Sequence, residues 1–305
     1  MRASLAVMLW LAACGGGDAD VDAAPAADAR TCDPAVACAW LGDYQRRIVG
    51  QLAGAEELGP GVTLAHRASE DERDLTRDYL LDELAALGLD AGRANYGTGA
   101  NVTATLLADV DAPGGLIVVG AHFDSVAAGP GAADNATGVA LVLSLARYLR
   151  DLTARQHPIT FAFFDEEEDG LIGSKAMVAR LVQDSIPVAE AHVFDMLSFD
   201  GDGDRAVELW SPAPHLEAAY AAAGAALGLP IQPVTFASSD HQAFLDEGFL
   251  AVGVGEEFVA GDHTPHYHQA TDVFANVDFT YLGDATRMAM TVVEASLRDG
   301  VAATP

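Results

Sequence analysis

Apolar residues recur at helical spacing over positions 41–58, and Ser69 followed by Glu72 forms a capping box for a second helix that runs to about Leu87, where Gly88 stops it. The period then changes. Residues 101–108 alternate as a half-buried strand does, and 116–120 is a continuous apolar run bounded by "PGG" and a loop, as expected of a strand buried on both faces. Downstream, helical and strand-like stretches take turns: helix over 138–149, strand over 159–164, helix over 171–182, strand over 191–197. The pattern continues with 205–210, 216–227 and 249–253, and a last helix over 278–297. Such alternation predicts an α/β fold with a mostly parallel central sheet and helices on both faces. No internal repeat interrupts it, and a single catalytic domain over 41–305 is expected.

The first stretch does not belong to that domain. "MRASLAVMLWLAAC" carries one cation, Arg2, and an apolar run over 3–13 that falls short of the roughly 20 residues a membrane-spanning helix needs. It is read as an export signal over 1–13. The "LAAC" ending resembles the lipobox of bacterial lipoproteins, which implies that Cys14 becomes the lipidated first residue of the mature chain. The alternative is an ordinary secretory signal. Residues 15–30 are rich in Gly, Ala, Asp and Pro without apolar periodicity, and a lipid-anchored flexible tether is expected over 14–40. Gly15 after the Cys implies the outer membrane or cell surface of the bacterial envelope, or secretion if Cys14 carries no lipid. Cys32 and Cys38 are the only other thiols. In an oxidising compartment they close a small disulfide loop, an expectation preferred over a zinc site because no second cysteine pair exists.

Charge narrows the partners. The 305 residues include 16 Lys+Arg against 45 Asp+Glu, a net charge of −29, which argues against nucleic acid because phosphate binding needs a basic face. Hydrophobic residues make up 50% and charged ones 20%, so the chain has ample material for a core.

The chemistry is expected where ligands bind in open α/β sheets, just beyond the carboxyl ends of the strands. After "LIVVG" comes "AHFDS", with His122 and Asp124 two apart at a strand end; His122 alone reads as a structural residue, but a nearby carboxylate is what a metal-bound imidazole needs to fix its tautomer. The loop "GPGAADNATG" has the glycines of a dinucleotide turn, but Asp134 stands at the third position, where its charge would repel a pyrophosphate. Alone, Asp134 reads equally as a helix cap. After "ITFAFF" come Asp165, Glu166, Glu167, Glu168 and Asp169, whose mutual repulsion at a sheet end calls for a cation unless the loop is simply solvated. The next strand ends at Asp195, and "HTPHYHQATD" supplies His263, His266 and His268 before Asp272. Oxygen and imidazole donors without Cys suit catalytic Zn²⁺, with Mn²⁺ or Co²⁺ as alternatives. Five such ligands exceed one tetrahedral ion and suit two ions sharing a carboxylate.

In their order and spacing, "NVTATL", "GAHFDS", "GPGAADNATGVA", "FFDEEEDGLIGS", "FDM", "SSDHQAF" and "HYHQATD" resemble the M28 metallopeptidases, the zinc aminopeptidases with paired metal ions. The resemblance implies a zinc-exopeptidase-like fold and hydrolysis of the N-terminal peptide bond by a hydroxide bridging two Zn²⁺. It assigns His122 and Asp195 to one ion, Glu168 and His268 to the other, and Asp134 as the bridge. Asp124 would orient His122, and Glu167 would be the general base. In the family two glutamates directly precede "xGLxGS", which selects Glu167 and Glu168 over Glu166. His268 is preferred over His266 because the family's last ligand lies four residues before an acid. His263 and His266 are then pocket or surface residues, and Asp240 supports the site from behind.

Rival readings are a one-zinc glutaminyl-cyclase-like acyltransferase, a carboxypeptidase of the same family, and a binding ectodomain without catalysis. No GxSxG element supports a serine hydrolase, and Ser174 lies in the "GLIGS" packing segment. Asp200, Asp202 and Asp204 alternate with glycines; a turn is preferred over a Ca²⁺ loop because the EF-hand's later Gly and Glu are missing.

Overall fold

The computed structural model describes residues 32–299. The export signal, Cys14 and most of the expected tether lie outside the described residues. Ten strands and seven helices are present among those described: β1 (Cys32–Asp33), β2 (Ala37–Cys38), α1 (Leu41–Leu52), α2 (Glu70–Ala86), β3 (Ala91–Asn95), β4 (Ala100–Leu106), β5 (Leu116–His122), α3 (Thr137–Leu149), β6 (Ile159–Phe164), α4 (Ile172–Gln183), β7 (Val188–Phe194), β8 (Val207–Trp210), α5 (Pro214–Leu227), β9 (Ile231–Val234), α6 (His241–Asp246), β10 (Ala251–Gly255) and α7 (Phe279–Asp299).

Eight strands form one mixed sheet in the order β3-β4-β6-β5-β7-β10-β8-β9. Its centre, β6-β5-β7-β10, is parallel. Toward one edge β4 and β3 run antiparallel; toward the other, β8 is antiparallel to β10 and carries β9 in parallel. Both faces are covered. Ile117, Val119 and Ala121 of β5 and Phe161 and Phe163 of β6 share a core with α1, α3 and α7, whereas Leu116, Val118, Ala162 and Phe164 face Val178 and Leu181 of α4 and Phe244 of α6. The period-2 split of each strand between two apolar layers is why these segments read as unbroken hydrophobic runs.

Local signals act where they were read. Ser69 caps α2 by accepting from the Glu72 N–H at 3.4 Å, and Gly88 ends the helix at φ +76°. The Cys32–Cys38 disulfide closes the β1–β2 hairpin, which docks on α7 through Arg287, whose guanidinium donates to the Pro34 and Val36 carbonyls. Packed structure therefore extends upstream of Leu41 into the segment counted with the tether.

Candidate metal centre

The parallel strand order sets β6, β5, β7 and β10 side by side, so four neighbouring carboxyl ends open onto one place. His122 ends β5, Asp195 follows β7, Glu167 and Glu168 sit in the turn after β6, and His268 lies on the connection from β10 to α7. Asp134 sits in the irregular turn Ala132–Ala136 that enters α3. Gly131 makes that turn with φ +67°, and a side chain there would strike the Asp134 carbonyl. Asn135 ties the turn to β7: its amide donates to the Phe194 carbonyl at 2.9 Å and its oxygen accepts from the Met196 N–H at 3.2 Å.

Asp134 faces two ways. Its Oδ1 lies 3.3 Å from His122 Nε2, which is also 3.3 Å from Asp195 Oδ1. Its Oδ2 lies 3.2 Å from His268 Nε2, which is 3.0 Å from Glu168 Oε2. Two clusters with metal-ligand chemistry, His122–Asp134–Asp195 and Asp134–Glu168–His268, thus share one carboxylate. Asp124 has two tasks. Its Oδ1 is 3.4 Å from His122 Nδ1, and its two oxygens accept from the Glu167 and Glu168 N–H groups, both at 3.1 Å.

The acidic run divides by direction. Asp165 is fully buried against Arg73 and Arg77 of α2, and Glu166 meets Arg73 and Thr98. Glu167 and Glu168 turn the other way and gather with His122. Glu166, Leu171, Met196 and His268 all adopt left-handed backbone (φ 56°, 61°, 58° and 56°), a conformation that non-glycine residues hold only when surrounding contacts impose it.

The electrostatics call for a cation. Burial and the Asp134 charge push the Glu168 carboxyl up to about 8, and burial pushes Glu167 well above the usual carboxylate range. Burial alone would lower the His122 imidazole, but the Glu167 and Asp195 charges carry it well above its usual value. Among the described residues, no Arg or Lys lies within ion-pair distance of Asp124, Asp134, Glu168 or Asp195. Glu168 Oε1 is buried without a hydrogen-bond partner. A divalent ion fits this donor set of imidazole nitrogens and carboxylate oxygens.

Asp240, just before α6, is fully buried with neither oxygen hydrogen-bonded, and burial lifts it to about 7. His263 stacks near Phe258 with ring centroids 4.5 Å apart, and His266 bonds Thr271 at 2.9 Å, so neither joins the centre. Asp200, Asp202 and Asp204 form a turn in which their carboxylates accept from the Gly203, Arg205, Asp204 and Ala206 N–H groups.

Beside the centre is a pocket whose apolar wall is Met196, Trp210, Phe236, Phe258 and Tyr267. Tyr267 stacks on His268 with centroids 3.8 Å apart. Trp210 and Met196 reach it from β8 and the end of β7. Tyr267 stands beside a predicted ligand in "HYH", a signal that marks it as a neighbour of the chemistry without giving it a task.

A parallel-centred α/β sheet with imidazoles and carboxylates converging at its strand ends defines a class: the zinc-exopeptidase-like folds. Within it, the chain belongs to peptidase family M28, whose sequence profile matches residues 101–293. It is 31% identical over 199 residues to the probable lipoprotein aminopeptidase LpqL of Mycobacterium tuberculosis, covering 55% of this chain and 40% of that protein. To leucine aminopeptidase 2 of Trichophyton rubrum it is 31% identical over 192 residues, covering 53% of this chain and 38% of the relative. The matched stretch thus spans about two fifths of these relatives' length. The fold is shared with the LapA aminopeptidase of Legionella pneumophila (TM-score 0.75, 21% identity, 84% of this chain and 72% of that one). It is shared also with glutaminyl cyclase of Porphyromonas gingivalis (TM-score 0.66, 19% identity, 84% and 98%).

Proposed function

We propose that this chain is an aminopeptidase that removes the first residue of peptides at a centre of two zinc ions, with Mn²⁺ or Co²⁺ as alternatives. The observation that carries the reading is the divided carboxylate of Asp134, with one oxygen toward His122 and the other toward His268. His122 and Asp195 would hold one ion and Glu168 and His268 the other. Zinc in such a site supplies Lewis acidity, polarising a carbonyl and making water a nucleophile at neutral pH.

The chain's own groups do the rest. The Glu167 carboxylate takes a proton from the attacking water as the new C–O bond forms, and passes it to the amide nitrogen as the C–N bond breaks. Burial and the nearby Asp240 charge raise its proton affinity, which suits a group that must hold the proton between the two events. Asp124 opposite His122 Nδ1 fixes the imidazole with Nε2 toward Asp134 and Asp195. Tyr267, whose hydroxyl burial and the surrounding acids keep protonated, stacks on His268 and packs that ligand from the pocket side. The free ammonium of the substrate is attracted by the uncompensated acids, and its first side chain lies along Met196, Trp210, Phe236 and Phe258.

Lipid anchoring at Cys14 is part of this reading, supported by the "LAAC" sequence and by the word lipoprotein in the name of the M. tuberculosis relative. No helix among the described residues is long and apolar enough to cross a membrane.

The test compares a leucyl anilide, its N-acetylated form and a peptide beginning with Gln, with and without chelator. Expected are hydrolysis of the free amine only, release of Gln as the amino acid, and loss of activity on chelation with recovery on adding zinc. Formation of pyroglutamate would assign the cyclase chemistry instead. Cleavage of blocked peptides from the other end would make it a carboxypeptidase, and a purified chain that takes up no zinc would be a binding domain.

A further inference from the structure

We infer that Asp272 is the positioning residue that holds Asp134 in reach of His268, so that occupation of the Glu168–His268 side depends on it; this rests on the two-ion reading above. Asp272 is buried, and its two oxygens grip two successive amides, Ala133 N–H at 2.7 Å and Asp134 N–H at 3.1 Å. Its carbonyl accepts from the Ala132 N–H at 3.3 Å. The turn that carries Asp134 is thereby joined to the segment that carries His268. The two loops also touch at Gly129, where a side chain would collide with the Gln269 carbonyl.

The opposite edge of the turn is held separately. Arg67, fully buried, donates to the Pro130 and Gly131 carbonyls at 2.6 and 2.9 Å and to Phe123 O at the end of β5 at 2.5 Å. Asn135 fastens the turn to β7. Arg67 and Asn135 therefore register Asp134 against His122 and Asp195, whereas Asp272 alone among these three groups registers it against His268. Removing the Asp272 grip should weaken one ion site and spare the other.

The experiment titrates zinc into the full-length chain, wild type, Asp272→Asn and Asp272→Ala, by calorimetry with chelator competition, alongside metal-free thermal melts. The wild type should bind two ions. Both variants should keep one at wild-type affinity and bind the other about 10 to 100-fold more weakly, the usual effect of losing a group that orients ligands. Excess zinc should restore turnover. Asn preserves the volume of Asp but offers one acceptor where two amides need two, so a space-filling role would be rescued by Asn and the grip would not. Two wild-type affinities in Asp272→Asn would overturn the inference. So would equal weakening of both ions, since Asp272 would then serve the fold rather than one ion site; a lowered metal-free melt is expected in either case, because the Ala133 and Asp134 amides lose buried acceptors. A wild type that binds fewer than two ions would instead sink the two-ion reading itself.

Discussion

Replacing Glu167 with Gln tests its proposed role as proton carrier while changing almost nothing else. The turn around it is held by main chain: its N–H donates to Asp124 at 3.1 Å, its carbonyl accepts from the Gly170 and Leu171 N–H groups, both at 2.8 Å, and Glu168 is held by its own N–H to Asp124 at 3.1 Å. None of these bonds involves the Glu167 side chain, and Gln occupies the same volume, so Glu168 should stay beside His268. A positioned general base contributes about 10²- to 10⁴-fold. At about 1.4 kcal/mol per decade that is ~3–6 kcal/mol of barrier. The variant should therefore lose two to four decades of kcat on a leucyl anilide at saturating zinc, with KM little changed because the apolar wall is untouched. Metal analysis of the same sample should match the wild type. Turnover within about threefold of wild type would refute the assignment of the base, since general acid–base catalysis supplies far more than that. Zinc lost in step with activity would make Glu167 a ligand.

Two further outcomes follow from the geometry. Asp134→Ala removes the only carboxylate shared by both clusters, so one or both zinc ions should be lost along with activity; a variant retaining full zinc and turnover would refute the bridge. Away from the centre, Glu190 is buried and accepts from His192 and His215, both at 3.0 Å. Burial alone would raise its carboxyl, but these partners bring it down from 4.5 to about 2. A depressed carboxylate contributes stability that is complete above the unfolded value and lost as pH falls through the folded one, here about 3 kcal/mol between 4.5 and 2. In urea titrations Glu190→Gln should be less stable by that order at pH 6, with the gap closing as the pH drops toward 2. A gap independent of pH would refute the role of the ionised group.

Much of this was legible locally. Ser69 and Glu72 announce the start of α2, and unbroken apolar runs announce β5 and β6, because capping and double-sided burial leave short-range patterns. The unforeseen elements are the ones with weak patterns. β3 reads "AGRAN" on an edge with much of its length exposed, β9 is four residues with a proline, and α6 is only six residues long. The pocket wall left no local signal, since Trp210 and Met196 reach it from parts of the chain remote from Phe258.

By itself the order of residues marked the groups on which the proposal rests: His122, Asp124, Glu167, Glu168 and Asp195 follow strands, Asp134 precedes a helix, and the family resemblance singles out His268 and the register of the two glutamates. Folding alone decided how they are held. Asp165 turns to arginines on α2 while Glu167 turns to His122, and Asp272 grips amides 139 and 138 positions away. Such side-chain-to-backbone bonds leave no periodic trace, because any acid can accept from any exposed N–H. Only the packing of β6, β5, β7 and β10 brings the partners together.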